Sequence, residues 1–139
     1  MTPHDLINPD GMAPATGFSH VVVATPGRTV YVAGQIAAAA NGDVQGESLV
    51  DQIDVALANV VAALAGGGAR PDHVVSLVMY TSEMAEYRSS LREIGAVYRR
   101  HFGRHFPAMA LLGVTEFVEP SAKIEIIATA VVPDEASPS

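Results

Sequence analysis

The sequence contains no cysteine, which excludes a structural disulfide, a zinc–thiolate site and a cysteine nucleophile. Basic residues are also scarce, with 8 Lys and Arg against 15 Asp and Glu and a net charge of −7. A nucleic-acid binder usually presents a basic patch. The one dense basic segment, Arg99, Arg100, His101, Arg104 and His105, reads instead as a helix end, where positive charge suits the helix dipole, followed by a loop. No run approaches the roughly 20 apolar residues that span a bilayer. The first fourteen residues, MTPHDLINPDGMAP, have neither the basic nor the apolar region of a signal peptide. The expectation is a soluble, cytoplasmic protein that contacts neither membrane nor nucleic acid. The five histidines form no close pair on one helix: His101 and His105 stand four apart, but Gly103 lies between them, so no metal site is expected. Gly66-Gly67-Gly68 lacks the following Lys-Ser/Thr of a phosphate loop.

What is present is a single domain's worth of apolar pattern. A chain of 139 residues makes one domain, 1–139, and buries roughly 68–70% of its unfolded surface. Hydrophobic residues reach 49% and charged residues only 17%, a balance that points to apolar surface covered by partner subunits. Residues 1–14 read as an arm. Phe18–Ala24 and Thr29–Gly34 read as a hairpin joined by Thr25-Pro26-Gly27-Arg28. Ile36–Ala40 extends the second strand to a turn at Asn41-Gly42. Ser48 caps a helix whose stripe is Leu49, Ile53, Leu57, Val60, Val61 and Leu64, ended by Gly66-Gly67-Gly68. Val74–Tyr80 is a buried strand. Ser82 caps a second helix with a stripe of Tyr87, Leu91, Ile94 and Tyr98. Met109–Val114 and Lys123–Val132 are strands, and 133–139 is a flexible polar tail. The class is α+β, one sheet with two helices on one face and its other face packed in an oligomer.

Several short words resemble a known family. They are Asn8-Pro9, Gly17-Phe18-Ser19-His20, Tyr31-Val32-Ala33-Gly34-Gln35, Gln52, Phe106-Pro107-Ala108 and Lys123-Ile124-Glu125-Ile126. Their order and spacing, from about residue 8 to residue 132, resemble the RidA/YjgF signature. The resemblance implies a chorismate-mutase-like fold with a mixed sheet, a homotrimer, and small-molecule clefts between subunits. It further implies hydrolysis of reactive enamines and imines, such as 2-aminoacrylate released by pyridoxal-phosphate dehydratases, to a keto acid and ammonia without a cofactor.

The chain departs from that pattern at three matched positions. Where the family has Pro-Ala-Arg, with the arginine gripping the substrate carboxylate, this chain has Pro107-Ala108-Met109. Methionine offers no donor, and losing a bidentate charge-assisted pair costs about 3 kcal/mol, roughly a hundredfold in binding. Arg104 is near in sequence. Phe18 stands for the usual tyrosine and Ala33 for the usual serine, so two hydroxyls are lost as well. The retained piece is Glu125, which the resemblance places in the cleft as the residue that steers water or a proton. An edge-strand charge or an inter-subunit salt bridge is the plainer alternative. Gly34 and Gln35 line the cleft through backbone groups or simply form a tight strand end, and Glu116 lies at its mouth, or else is a solvated loop carboxylate. His20 reads as a surface or interface residue, and Tyr80 and Thr81 end a central strand. The expected function is a divergent Rid-type hydrolase or deaminase acting on an enamine, imine or related labile molecule other than a standard 2-imino acid. The alternative is a non-catalytic metabolite-binding trimer, or a specialised-metabolism enzyme on the same fold.

Overall fold

The computed structural model describes residues 1–135. Along them run β1 (Asp5–Ile7), β2 (Val21–Val23), β3 (Gly27–Gln35), α1 (Leu49–Gly66), β4 (Val74–Thr81), α2 (Met84–Ser89), α3 (Leu91–Phe102), β5 (Ala108–Gly113) and β6 (Ile124–Pro133). Four strands form one mixed sheet in the order β3-β6-β4-β5. β6 is antiparallel to both neighbours, and β4 and β5 are parallel. A parallel pair needs a long crossover, which α2 and α3 supply.

Strand alternation decides what each face carries. On β4, Leu77, Met79 and Thr81 are buried, and their register partners on β6, Ala128, Ile126 and Ile124, are buried with them. α1 covers this face with Leu49, Ile53, Leu57, Val60 and Leu64, and α3 adds Ile94, Val97, Tyr98 and Phe102. Each such side chain contributes about 1.5–3 kcal/mol on burial. α1 is long and apolar enough to cross a membrane by length and composition, but its apolar stripe lies on the sheet and makes it the core helix. Ser48 caps it, its hydroxyl accepting from the Asp51 amide at 3.0 Å, and Gly67 closes it. The opposite face of the sheet carries Tyr31, Leu112 and Ile127, with Tyr31 81% exposed.

Gln52 pins α1 to the loop ahead of β6. Only 2% exposed, it accepts from the Lys123 amide at 2.8 Å and donates to the Gly46 and Ser121 carbonyls, both at 3.1 Å. Glu86 of α2 accepts from the Leu49 amide at 2.6 Å, so the first turn of α1 is held from a second side.

Several sequence expectations need correction. The expected hairpin of 18–24 with 29–34 does not form. Val21–Val23 pairs with Asp5–Ile7 from the supposed arm, while β3 pairs with β6. β6 offers β3 a ladder from Gly27 to Gln35, far longer than β2 could provide. Ile36–Ala40 does not extend β3: a bulge breaks the register after Val32, and Ala38 makes only an isolated bridge with Val44 across the Asn41-Gly42 turn. The second helix is two helices, broken at Ser90. Ser82 caps neither: Glu83 is the N-cap of α2 and Ser90 that of α3, both without a side-chain cap bond, and the Thr81 hydroxyl accepts from the Glu83 amide at 3.0 Å just ahead of α2. Leu91, expected in the apolar stripe, is exposed. Pro133 still belongs to β6, and the Asp134 amide donates to the Pro26 carbonyl at 3.3 Å. The remainder of the expected tail, 136–139, lies outside the described residues.

Three buried histidines join the N-terminal segment to the start of β4. His4 accepts from the Thr25 amide through Nδ1 (3.1 Å) and donates to the His73 carbonyl through Nε2 (3.0 Å). His73 Nδ1 accepts from the Arg70 amide at 3.0 Å. His105 Nε2 donates to the Val74 carbonyl at 2.7 Å, and its buried Nδ1 has no partner among the described residues. Burial holds His73 and His105 below the usual histidine range. The unfolded chain therefore takes up these protons first. The stability due to the neutral rings is complete above about pH 6.5 and is lost as pH falls below it. Melting temperature is expected to drop between pH 7.5 and pH 5, with a shallower slope in His105→Gln, which keeps a donor and removes the titration. Identical slopes in the two proteins would contradict this. Separately, Gln52→Ala strands a buried amide and two carbonyls, and denaturant unfolding should register a loss of about 2–4 kcal/mol.

Candidate active site

Glu125 is the second residue of β6, directly opposite Tyr80 of β4. Its neighbours Ile124 and Ile126 point into the core, so alternation turns Glu125 to the sheet's open face, where it is half-buried. On its other side β3 bulges at Ala33-Gly34. A Cβ on Gly34 would stand 2.8 Å from Glu125 Cδ and 3.0 Å from Cγ, and would collide with Oε1. The glycine leaves the Glu125 carboxyl its present position and serves no backbone need, since its φ is not positive. The Gln35 side-chain amide donates to the Ala33 carbonyl at 3.1 Å and braces the bulge. A depression of about 260 Å³ opens here, lined by Tyr80, Val114, Glu116, Phe117, Val118 and Glu125. It brings together two of the expected carboxylates and contains no cation among its lining residues.

Phe18 and Met109 lie elsewhere. Gly17 has φ +76°, a left-handed turn that suits glycine, and it sends the chain along the start of β5. Ser19 fixes that path: its amide donates to the Pro107 carbonyl at 3.0 Å and its hydroxyl to the Phe106 carbonyl at 2.6 Å. Phe18 and Met109, with Thr16, Gly17, Met79 and Tyr87, line a hollow of about 250 Å³. Met109 pairs with Leu77, a core-face residue, so it shares the helix-covered side of the sheet. Within one subunit Met109 and Glu125 therefore occupy opposite faces of the sheet.

Arg104 lines a separate hollow with Thr2, Asp72 and His105 and does not reach Met109. Arg99 does line the cleft beside Met109. The sequence reading missed it by treating the basic segment as one solvated helix end, and it missed Tyr87 by counting it only as core. Nothing in local spacing links Arg99 to Met109, because α3 and β5 meet only through the fold. Arg100 and His101 are structural, both pairing with Asp54 of α1, at 2.9 and 2.6 Å. His20 braces the N-terminal loop through Nε2 and the Ala13 carbonyl at 2.7 Å. Thr81 is buried and donates to the Lys123 carbonyl at 2.8 Å. Among the described residues no three His, Cys, Asp or Glu could hold a metal ion.

A mixed sheet with its helices on one face and a carboxylate on the other is an α+β fold. The family model described as endoribonuclease L-PSP matches residues 9–132. YyfB of Yersinia pestis, a structure of the Rid protein family, is 35% identical, with 93% of this chain and 98% of that chain covered and a TM-score of 0.84. Rv2704 of Mycobacterium tuberculosis, a member of the YjgF/YER057c/UK114 family, is 27% identical over 93% and 99% of the two chains, with a TM-score of 0.63. Yeast Mmf1 is 26% identical over 94% and 97%, with a TM-score of 0.65. No curated protein matches the chain. The chain belongs to the Rid/YjgF family.

Gly34→Ala tests the packing of the site. The atoms a new Cβ meets belong to the movable end of Glu125, so stability should change by less than about 1 kcal/mol. The Glu125 carboxyl must swing away, and its side-chain carboxyl carbon should show a changed NMR shift. A large fall in melting temperature with an unmoved carboxyl would show that the backbone yields instead.

Proposed function

We propose that the protein is a cytoplasmic homotrimer that hydrolyses a reactive enamine, imine or related labile small molecule in clefts between its subunits. The substrate is not a standard 2-imino acid. The observation that carries this reading is the Glu125 carboxylate, seated on Gly34 and facing open space beside Tyr80. Two further features support the assembly. The open face bears exposed Tyr31, Leu112 and Ile127, an apolar set of the kind that partner subunits cover. The Gly34–Glu125 and Phe18–Met109 halves lie on opposite faces of one subunit, and contact between adjacent subunits would let one half face the other.

In this reading Glu125 accepts a proton from water as the water oxygen attacks the C=N carbon. The proton then passes to nitrogen, giving a carbinolamine; its hydroxyl proton is taken by Glu125 and delivered to the amino nitrogen as the carbon–nitrogen bond breaks, and ammonia and a carbonyl compound leave. An enamine is first protonated on carbon to give the same imine. Ala33, Phe18 and Met109 offer the ligand no side-chain hydrogen bond, which suits a reacting end without a carboxylate. The net charge of −7 and the two carboxylates lining the depression, Glu116 and Glu125, disfavour RNA as substrate.

The test is hydrolysis of the imine of 2-aminoacrylate, generated in situ, by wild type, Met109→Arg, and Met109→Arg with Glu125→Gln. Wild type should be slow, Met109→Arg faster by up to roughly a hundredfold, and the double variant inactive. Equal rates in the first two would refute the lost-grip reading. Activity that survives Glu125→Gln would remove Glu125 from the mechanism. Tight ligand binding by wild type with no turnover of any imine would favour the metabolite-binding trimer. Sedimentation equilibrium should give three subunits per particle.

A further inference from the structure

The hollow beside Met109 does not end there. Through Thr16, Gly17, Met79 and Tyr87 it merges with a larger cleft of about 540 Å³ that runs over α3 as far as Arg99. That volume lies within the usual range for a small-molecule site. Its floor is apolar and rigid: Ile94 is buried, and Tyr98 and Phe106 stack with ring centres 5.4 Å apart.

Three features give this cleft a polarity. The Tyr98 hydroxyl is already spent, donating to the His105 carbonyl at 2.5 Å. Tyr87 has no such partner among the described residues, and burial pushes its phenol up, so it stays a donor at neutral pH. Gly95 sits in the interior of α3, where glycine is unfavourable relative to alanine, and no positive φ calls for it. A Cβ there would stand 3.3 Å from Arg99 Nη1. The missing side chain leaves the guanidinium room to lie along the helix at the rim of the cleft. Finally, Arg100 and His101 both pair with Asp54, whereas Arg99 makes no ion pair among the described residues.

We infer that this cleft binds an elongated, largely apolar molecule, aromatic or branched, whose anionic group lies far from its reacting carbon. The anion pairs with Arg99, the apolar body lies over Ile94 and Tyr98, and the Tyr87 hydroxyl donates to a polar atom midway. The reacting end then emerges at Met109. The charge that an arginine at position 109 would hold at the reacting end is held here at the other end. The inference deepens the proposed function and rests on it for the identity of the reacting end, but the binding stands by itself.

The test is calorimetric titration of the full chain in its native assembly with 4-phenylbutanoate, its neutral amide and pyruvate. The acid should bind about tenfold tighter than the amide, and pyruvate no better than the amide. In Arg99→Gln the acid should fall to the level of the amide, which itself is unchanged. Gly95→Ala, which keeps the helix but crowds the guanidinium, should weaken the acid selectively. Equal binding of acid and amide, an acid preference that survives Arg99→Gln, or no saturable binding of the acid would each overturn the inference. The last result is also expected if a neighbouring subunit fills the cleft. Loss of the Glu125 mechanism with the acid preference intact would fell the hydrolysis reading alone.

Discussion

The site depends on β6 being paired on both sides. Hydrogen bonding to β3 and β4 together fixes its pleat, and a pleat with Ile124 and Ile126 in the core can only turn Glu125 outward. The bulge in β3 then brings a residue without a side chain against that carboxylate. A shift of one residue in either ladder would bury the charge or expose two isoleucines. Register, more than any local contact, holds the glutamate in the open.

Much of the family-like wording in the sequence has a plain structural role here. Gln52 answers two carbonyls and an amide around the loop before β6. Lys123 reaches back to the Glu47 carbonyl and stands 3.8 Å from Glu86. Ser19 and Pro107 lace the N-terminal loop to the entry of β5. These contacts hold loops at the ends of the sheet, where both half-sites lie. Phe18, Ala33 and Met109 carry no side-chain donor for a ligand, while the polar side chains of Gln52, Lys123 and Ser19 are engaged in holding these loops.

Elements with a strong period were legible in the sequence. α1 follows from its stripe, its Ser48 cap and its glycines, and β4 and β6 follow from continuous apolar runs. The partners of short strands were not. Val21–Val23 is as apolar as a core strand, yet it pairs with Asp5–Ile7, a segment whose polar and proline-rich surroundings suggested an arm. Pairing depends on which edge is free in three dimensions, and local composition does not report that. The site was half legible for the same reason. Glu125, Gly34 and Glu116 could be named from short words, but the placement of Met109 on the opposite face follows from the parallel register of β5 on β4. Arg99 and Tyr87 enter through helix packing across the β5 edge, which no spacing rule encodes.

The place of β6 in the chain has a further consequence for how the protein is made. β3 and β4 do not touch as strands; β6 lies between them, and ribosomes release it after every strand it joins. Until then the nascent chain can assemble α1 and the parallel β4–β5 pair, but the apolar edge of β4 waits unpaired for its partner. Unpaired edges of this kind are the usual starting points of misassembly. An incomplete chain therefore carries an open strand edge that the finished fold does not.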